Sequence, residues 1–190
     1  MTELMPVGEV DTYALPVPGE AALLHQVFTA PQAAAIVSDL TSSKQRDAIP
    51  WGRHTPGKLS ESIEKLRSAE LYTAASCFEY LGELASRQLR APFTKFIAIY
   101  AFSQGLGAHR DGTVGSPLSF IVVLEQEVLY RLEGRALGRK HVGHFTEHIA
   151  TPGDVLAINN RTTIRKRAVH SSVAAGGRRL VLDYYSRNDL

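Results

Sequence analysis

Apolar positions in the N-terminal half of the chain recur at helical spacing. Thr29 and Gln32 stand at capping-box spacing just before the run AAAIVSDL, and Pro31 falls in the first turn, so we expect a helix over residues 32–40. A second helix is expected over residues 68–89. The apolar positions that predict it are Leu71, Ala75, Phe78, Leu81 and Ala85. Because these positions form one apolar face, the helix must pack on a flat apolar surface, and a sheet is the expected partner.

The pattern changes at Thr94 to short β-branched and aromatic runs that are divided by Gly, Pro and Asn. The runs are KFIAIYAF, LSFIVVL, EVLYRLEG, HFTEHIA, DVLAINN, RAVHSSV and RRLVLDYY. Such a density of short strands predicts a β-sandwich or barrel. We therefore expect one domain over residues 1–190, with an extended arm and two helices in residues 1–93 and a β core in residues 94–187. Residues 47–58, rich in turn formers, are expected to form a loop.

Composition narrows the class of protein. The chain has 190 residues, 44% hydrophobic and 21% charged, as expected of one globular domain. No run approaches the roughly 18 apolar residues of a membrane span, and MTELMPVGEV lacks the basic start of an export signal, so we expect a cytoplasmic protein. The single cysteine, Cys77, excludes an internal disulfide and a multi-cysteine zinc site. A net charge of +2 does not indicate a dedicated nucleic-acid binder.

The candidate chemistry lies at His109 and Asp111 and at the distant His170. Residues two apart on a strand point to the same face, so His109 and Asp111 can converge on one ion, while His170 comes from a separate strand. Two imidazoles and one carboxylate form the facial triad that holds non-haem Fe(II) and leaves positions open for a cosubstrate and O₂. The alternative is that all three are ordinary turn and strand residues.

A second histidine group offers a competing metal site. His141, His144 and His148 stand near Glu147, and the last two have the i,i+4 spacing of a helical zinc site. HFTEHIA is, however, predicted to be a strand, where residues four apart share a face but stand far apart. Histidines at the surface or at the rim of a pocket are the simpler interpretation.

The order of segments around the triad resembles a known family. YAFSQGLGAHRD (residues 100–111) is followed by SPLSFIVVL, then TPGDVLAI, and His170 is followed by GRRLVL. This series resembles the Fe(II)/2-oxoglutarate-dependent oxygenases, especially their prolyl-hydroxylase-like and nucleic-acid-demethylase-like branches. The resemblance implies an α+β, mainly β fold: a double-stranded β-helix (a cupin-like jelly roll) with two supporting N-terminal helices.

The resemblance also implies roles for individual residues. His109, Asp111 and His170 match the iron ligands, and Arg179 matches the basic residue that pairs with the far carboxylate of 2-oxoglutarate. Arg178 is the rival for that role, because only one of two adjacent strand residues can point inward. Tyr100 is expected to offer its hydroxyl to the cosubstrate. The implied cofactors are Fe(II), 2-oxoglutarate and O₂.

The implied function is an oxygenase that couples decarboxylation of 2-oxoglutarate to succinate with oxidation of a substrate C–H bond. Because Asp111 is present, the chain departs from the related halogenases, and hydroxylation is the preferred outcome. A small-molecule or amino-acid substrate is expected, with Trp51, Tyr184 and Tyr185 as candidate wall residues. The basic stretch of residues 161–167 favours an anionic substrate.

Three alternatives remain open at this point. The chain is a cupin-like metal protein that does not use 2-oxoglutarate, a nucleic-acid-directed demethylase of the same superfamily, or a jelly-roll binding module without catalysis. A nucleic-acid partner is disfavoured by the even charge balance.

Overall fold

The computed structural model describes residues 13–42, 57–60, 63–90, 93–102, 105–111, 118–133, 145–173 and 177–186. Within these ranges the helices are α1 (Ala30–Ser42), α2 (Ile63–Ser68) and α3 (Tyr72–Leu89), with a short 3-10 helix at Ile164–Lys166. The strands are β1 (Ala21–Leu24), β2 (Gly57–Ser60), β3 (Phe93–Phe102), β4 (Leu106–His109), β5 (Leu118–Val123), β6 (Val128–Glu133), β7 (Phe145–Ala150), β8 (Val155–Asn159), β9 (His170–Val173) and β10 (Arg178–Ser186).

The described strands form two antiparallel sheets. Six strands pair in the order β1-β8-β5-β10-β3-β2, and four pair in the order β4-β9-β6-β7. From β3 onward the chain passes from one sheet to the other at every step except β6 to β7. Residues close in sequence therefore lie in opposite layers, and residues distant in sequence become neighbours within a layer.

The helices cover one face of the six-stranded sheet. The capping box of α1 is confirmed, because the Thr29 amide donates to Gln32 Oε1 at 2.7 Å and the Gln32 amide donates to Thr29 Oγ1 at 3.2 Å. Helix α3 turns its apolar face to the sheet, as predicted, and the buried Tyr184 hydroxyl of β10 donates to the Phe78 carbonyl at 2.7 Å. Cys77 is buried on this helix, and burial raises the pKa of its thiol.

A second apolar cluster fills the space between the two sheets. Its buried members are Val123, Val128, Tyr130, Leu132, Ala150, Leu156 and Ile158. Strands β5 and β8 are buried almost throughout, because helices cover one face of their sheet and the second sheet covers the other. A side chain that points inward from either sheet therefore enters a largely apolar interior.

The seven predicted strand runs are confirmed as β3 and β5 to β10. The expectation of two N-terminal helices is wrong in one respect, since the described residues also include α2. Strands β1 and β2 were not predicted, because a strand of four residues offers too few positions to show alternation. The strand expected at His109 and Asp111 is present as β4, but it ends at His109, before Asp111. Gly57 and Lys58, expected in a loop, begin β2, while residues 47–56 lie outside the described residues. No described helix is long and apolar enough to span a membrane.

Candidate metal centre and cosubstrate pocket

Strand pairing brings the two distant histidines together. Strands β4 and β9 are antiparallel, and His109 lies directly opposite His170, so both imidazoles project from the same face of the four-stranded sheet. Their ring centroids are 4.3 Å apart. Asp111 follows β4 after one residue, and its Oδ1 lies 3.9 Å from His109 Nε2 and 3.6 Å from His170 Nε2.

The hydrogen bond of His109 leaves its Nε2 atom available to a metal. His109 Nδ1 lies 2.9 Å from the Gly107 carbonyl, which can only accept, so in the neutral ring the proton is on Nδ1 and Nε2 keeps its lone pair. His170 is 4% exposed. Burial lowers the pKa of His170, and the Asp111 carboxylate opposes that shift. A neutral imidazole is the form of histidine that binds a metal.

Asp111 is held from two sides. The Asn160 amide donates from Nδ2 to Asp111 Oδ2 at 2.6 Å, and the Arg167 guanidinium donates from Nη1 to the Asp111 carbonyl at 3.0 Å. Oδ1 is the carboxylate oxygen that both histidines approach. Sequence reasoning missed Asn160, because a single polar residue just after a strand carries no periodic signal. Arg167 was recognised only as a member of the basic stretch of residues 161–167, without its contact to Asp111.

The donor set fits a divalent transition metal. Two imidazole nitrogens and one carboxylate oxygen lie within 4.8 Å of one another, and across the described parts of the chain no other three His, Cys, Asp or Glu side chains come together in this way. This ligand set is the 2-His-1-carboxylate facial triad typical of non-haem Fe(II). The residues that the sequence predicted as ligands thus form one compact group.

A buried cation lies in the same interior. Arg179 is 5% exposed, its Nη1 donates to Ser172 Oγ at 3.2 Å, and its guanidinium carbon lies 5.2 Å from the ring centroid of Tyr130. Ser172 stands two positions after His170 on β9, and both are buried, so they share the inward face. Arg178 points elsewhere and pairs with Glu125 at 2.7 Å, with both side chains partly exposed.

Burial shifts the titration of this pair of side chains in opposite directions. It lowers the pKa of Arg179 and raises the pKa of Tyr130 to about 12, and each shift is reduced by the presence of the other group. Arginine remains protonated in proteins, so the interior holds a fixed positive charge beside a neutral phenol. An anion entering this space would meet a preformed partner.

The remaining predicted residues are less fully placed. Tyr100 lies on β3 opposite Leu180, with Ala101 opposite Arg179, and Tyr185 lies on β10 opposite Lys95. The side chains of Tyr100 and Tyr185 are outside the described part of the structure, as is Trp51 altogether. Their roles stay predictions. Tyr184, a candidate wall residue, is instead a fully buried core residue beneath α3.

The competing histidine group is described only at His148. His148 lies on β7, and its Nε2 is 2.9 Å from Thr146 Oγ1. The interpretation of this segment as a strand is confirmed for Phe145–Ala150. His141 and His144 lie outside the described residues.

The basic stretch adjoins the triad. Residues 161–167 connect β8 to β9, and Arg161, Arg165 and Lys166 are exposed. Arg167 ties the end of this stretch to Asp111, and Arg110 Nε donates back to the Arg167 carbonyl at 3.1 Å. The exposed cations therefore lie on the same β8–β9 connection as Asn160 and Arg167, the two residues that contact Asp111.

Comparison with known proteins places the fold. No protein-family model and no curated protein matches the chain in sequence. Among solved structures, a Pseudomonas putida prolyl-4-hydroxylase matches 90% of this chain and 94% of its own, with a TM-score of 0.62 and 13% identity. AviO1 from Streptomyces viridochromogenes Tue57 matches 100% and 99%, with a TM-score of 0.60 and 15% identity. The non-heme alpha ketoglutarate dependent epimerase SnoN from nogalamycin biosynthesis matches 88% and 79%, with a TM-score of 0.56 and 12% identity. The chain therefore has the fold of the Fe(II)/2-oxoglutarate-dependent oxygenases and carries a His-Asp-His triad within it.

Proposed function

We propose that the protein is a non-haem Fe(II)- and 2-oxoglutarate-dependent oxygenase that hydroxylates a C–H bond of a small-molecule or amino-acid substrate. The observation that carries the proposal is the compact group of His109, Asp111 and His170, with the buried Arg179 in the same interior. In the overall reaction 2-oxoglutarate, O₂ and the substrate give succinate, CO₂ and the hydroxylated product, with one oxygen atom entering succinate and the other entering the substrate.

We further infer that the two sheets form a double-stranded β-helix. The support is the strand order, in which β3, β10, β5 and β8 are neighbours in one sheet and β4, β9, β6 and β7 are neighbours in the other. The repeated crossing between layers is typical of a jelly roll. It makes β4 and β9 neighbours in the four-stranded sheet. We treat residues 1–190 as one domain on this basis, and we keep a cytoplasmic location as a proposal.

The three triad residues would hold Fe(II) through His109 Nε2, His170 Nε2 and Asp111 Oδ1. When bound, the iron supplies the O₂ and electron-transfer chemistry that protein side chains lack. Three protein ligands leave three further positions of a six-coordinate ion for cosubstrate and O₂. The Gly107 carbonyl keeps the His109 ring in the required tautomer, which is a typical contribution of the groups around a metal site.

Arg179 would bind the distal carboxylate of 2-oxoglutarate. A planar guanidinium grips a carboxylate through two parallel charge-assisted hydrogen bonds, which compensates for burial of both charges. Ser172 orients Arg179 by accepting from Nη1, and Tyr130 packs beside the guanidinium. Tyr130 belongs to the apolar cluster between the sheets, so Arg179 would pair with the carboxylate beside apolar side chains, where an ion pair is stronger than in water. We keep Tyr100 as a proposed further cosubstrate contact.

We propose an anionic group on the substrate. The support is the exposed basic side chains of residues 161–167, next to the triad on the β8–β9 connection. Trp51 and Tyr185 remain the proposed wall residues. The solved neighbours include a prolyl-4-hydroxylase and an epimerase, so the fold alone does not select the outcome of the reaction. Hydroxylation is proposed because Asp111 keeps the carboxylate that the halogenases lack.

The proposal is tested by measuring succinate released from 2-oxoglutarate in the presence of Fe(II) and O₂. The wild-type protein should release succinate slowly even without its substrate, and Asp111→Ala should release none. The control is His25→Ala, which replaces an exposed histidine and should release succinate at the wild-type rate. Melting temperatures of all three proteins check folding. Undiminished succinate release by Asp111→Ala, or none by folded wild-type protein loaded with Fe(II), would overturn the proposal.

A further inference from the structure

We infer that Asn160 is a positioning residue that holds the Asp111 carboxylate with only Oδ1 turned to the metal. The inference rests on the proposed function, because it concerns how one ligand of the same site is presented. Its consequence is a carboxylate that ligates through one oxygen and leaves the remaining coordination positions open.

The contact between the two residues is short, and it joins a buried asparagine to a partly buried aspartate. Asn160 is 2% exposed, and its Nδ2 lies 2.6 Å from Asp111 Oδ2. An ionised carboxylate can only accept, so the NH₂ end of the amide must face it. A hydrogen bond to an ionised acceptor is stronger than one between neutral groups. It is stronger still inside a protein than in water, because the surroundings are less polar. Oδ2 is therefore occupied by a strong donor on the protein side.

The neighbouring Asn159 shows what a purely structural asparagine looks like here. Asn159 is also fully buried, but its Nδ2 donates to the Pro16 carbonyl at 2.9 Å and its Oδ1 accepts from the Arg161 amide at 3.2 Å. Both ends of that side chain hold backbone in place. Asn160 Oδ1 is buried and has no hydrogen-bond partner within the described residues. Burying an amide oxygen without a partner is unfavourable, and backbone anchoring does not explain why Asn160 does so.

The rest of the β8–β9 connection supports the same function. Arg167 donates to the Asp111 carbonyl at 3.0 Å and, through Nε, to the Thr162 carbonyl at 3.3 Å. The connection thus contacts Asp111 at both ends, with Arg167 fixing the backbone and Asn160 fixing the rotation of the carboxylate. Because both histidines approach Oδ1, a carboxylate that rotated to offer both oxygens would take up a position that the cosubstrate or O₂ needs.

The test is anaerobic calorimetric titration of the metal-free protein with Fe(II), without 2-oxoglutarate. Asn160→Ala should bind Fe(II) about 10 to 100 times more weakly than wild type, the effect typical of losing a partner that orients a metal ligand. Asn160→Leu, which keeps the side-chain volume but has no donor, should show the same loss. Asn159→Ala is the matched control: its melting temperature should fall while its Fe(II) affinity stays at the wild-type value.

The outcomes separate this inference from the proposed function. If wild type binds Fe(II) and both Asn160 variants bind it equally well, the inference is overturned and the proposed function stands. If Asn159→Ala loses as much affinity as Asn160→Ala, the effect belongs to the end of β8 in general, and the inference is again overturned. If folded wild-type protein binds no Fe(II), the proposed function and the inference fall together.

Discussion

Replacing Arg179 with methionine tests the cosubstrate pocket without disturbing the triad. Methionine keeps a long unbranched side chain and removes the guanidinium. Two charge-assisted hydrogen bonds to the distal carboxylate, at about 1.5 to 2 kcal/mol each, would be lost. A loss of about 3 to 4 kcal/mol corresponds to 2-oxoglutarate binding that is about 100 to 1,000 times weaker.

The same substitution should have little effect on the folded protein. Removing a cation that is only 5% exposed relieves its desolvation penalty, and this offsets the lost bond to Ser172. We therefore expect the melting temperature of Arg179→Met to stay close to that of wild type while cosubstrate affinity falls.

The assay is calorimetric titration of the Fe(II)-loaded protein with 2-oxoglutarate under anaerobic conditions. Arg178→Met is the matched control, because Arg178 forms a partly exposed pair with Glu125 and such pairs contribute less than about 1 kcal/mol. Its affinity for 2-oxoglutarate should equal that of wild type. Equal loss of affinity in the two variants, or unchanged affinity in a folded Arg179→Met, would rule out Arg179 as the specific partner of the distal carboxylate.

Three further predictions concern metal binding and stability. Excess Fe(II), at about 100 times its Kd, should raise the free energy of unfolding of wild type by about 2.7 kcal/mol. It should leave the thermal melt of His170→Ala unchanged, and equal stabilisation of both proteins would show that His170 does not bind the metal. Gly153→Ala should lower stability by more than about 2 kcal/mol, because Gly153 has φ +99° and an added Cβ would lie 2.0 Å from the Phe28 carbonyl oxygen; unchanged denaturant midpoints would show that this turn relaxes. Tyr184→Phe should lower the free energy of unfolding by about 1 kcal/mol, because it loses the hydrogen bond to the Phe78 carbonyl. The affinity for 2-oxoglutarate should be unchanged, and a fall in that affinity would show that Tyr184 lines the cosubstrate site.

The sequence predicted the components of the site better than their surroundings. His109 and Asp111 are two positions apart, and strand geometry predicts that such residues share a face. In the structure β4 ends at His109, so Asp111 reaches the site from the residues after the strand, where Asn160 and Arg167 hold it. The sequence groups His170 with them by ligand type and by the family resemblance, since no local pattern links strands so far apart in the chain. The direct pairing of His109 with His170 is a property of the sheet register, which depends on the whole fold.

Asn160 shows why the supporting contacts were missed. Its partner Asp111 lies 49 positions away, and neither residue type nor spacing marks the pair. The sequence also leaves the choice between Arg178 and Arg179 open. Adjacent strand residues point to opposite faces, but the sequence does not show which of the two faces the interior. In the structure Arg179 is the buried residue and Arg178 reaches Glu125.

The limits of the fold prediction are also physical. Long apolar runs such as LSFIVVL identify β5, because a strand covered on both faces must be apolar throughout. Helix α2 has only six residues and one buried position, Leu66, so no apolar period is visible in it. Strand β1 is recognisable only through its pairing with β8.

The proposed iron and 2-oxoglutarate site is tested most simply by an anaerobic titration of metal-free protein with Fe(II) and then with 2-oxoglutarate, followed by visible absorption. We expect the charge-transfer band of an Fe(II)–2-oxoglutarate complex in wild type, no band in His109→Ala and a weaker band in Arg179→Met at the same 2-oxoglutarate concentration. Absence of the band from folded wild-type protein, or a full band in His109→Ala, would contradict the assignment of this site to iron and 2-oxoglutarate.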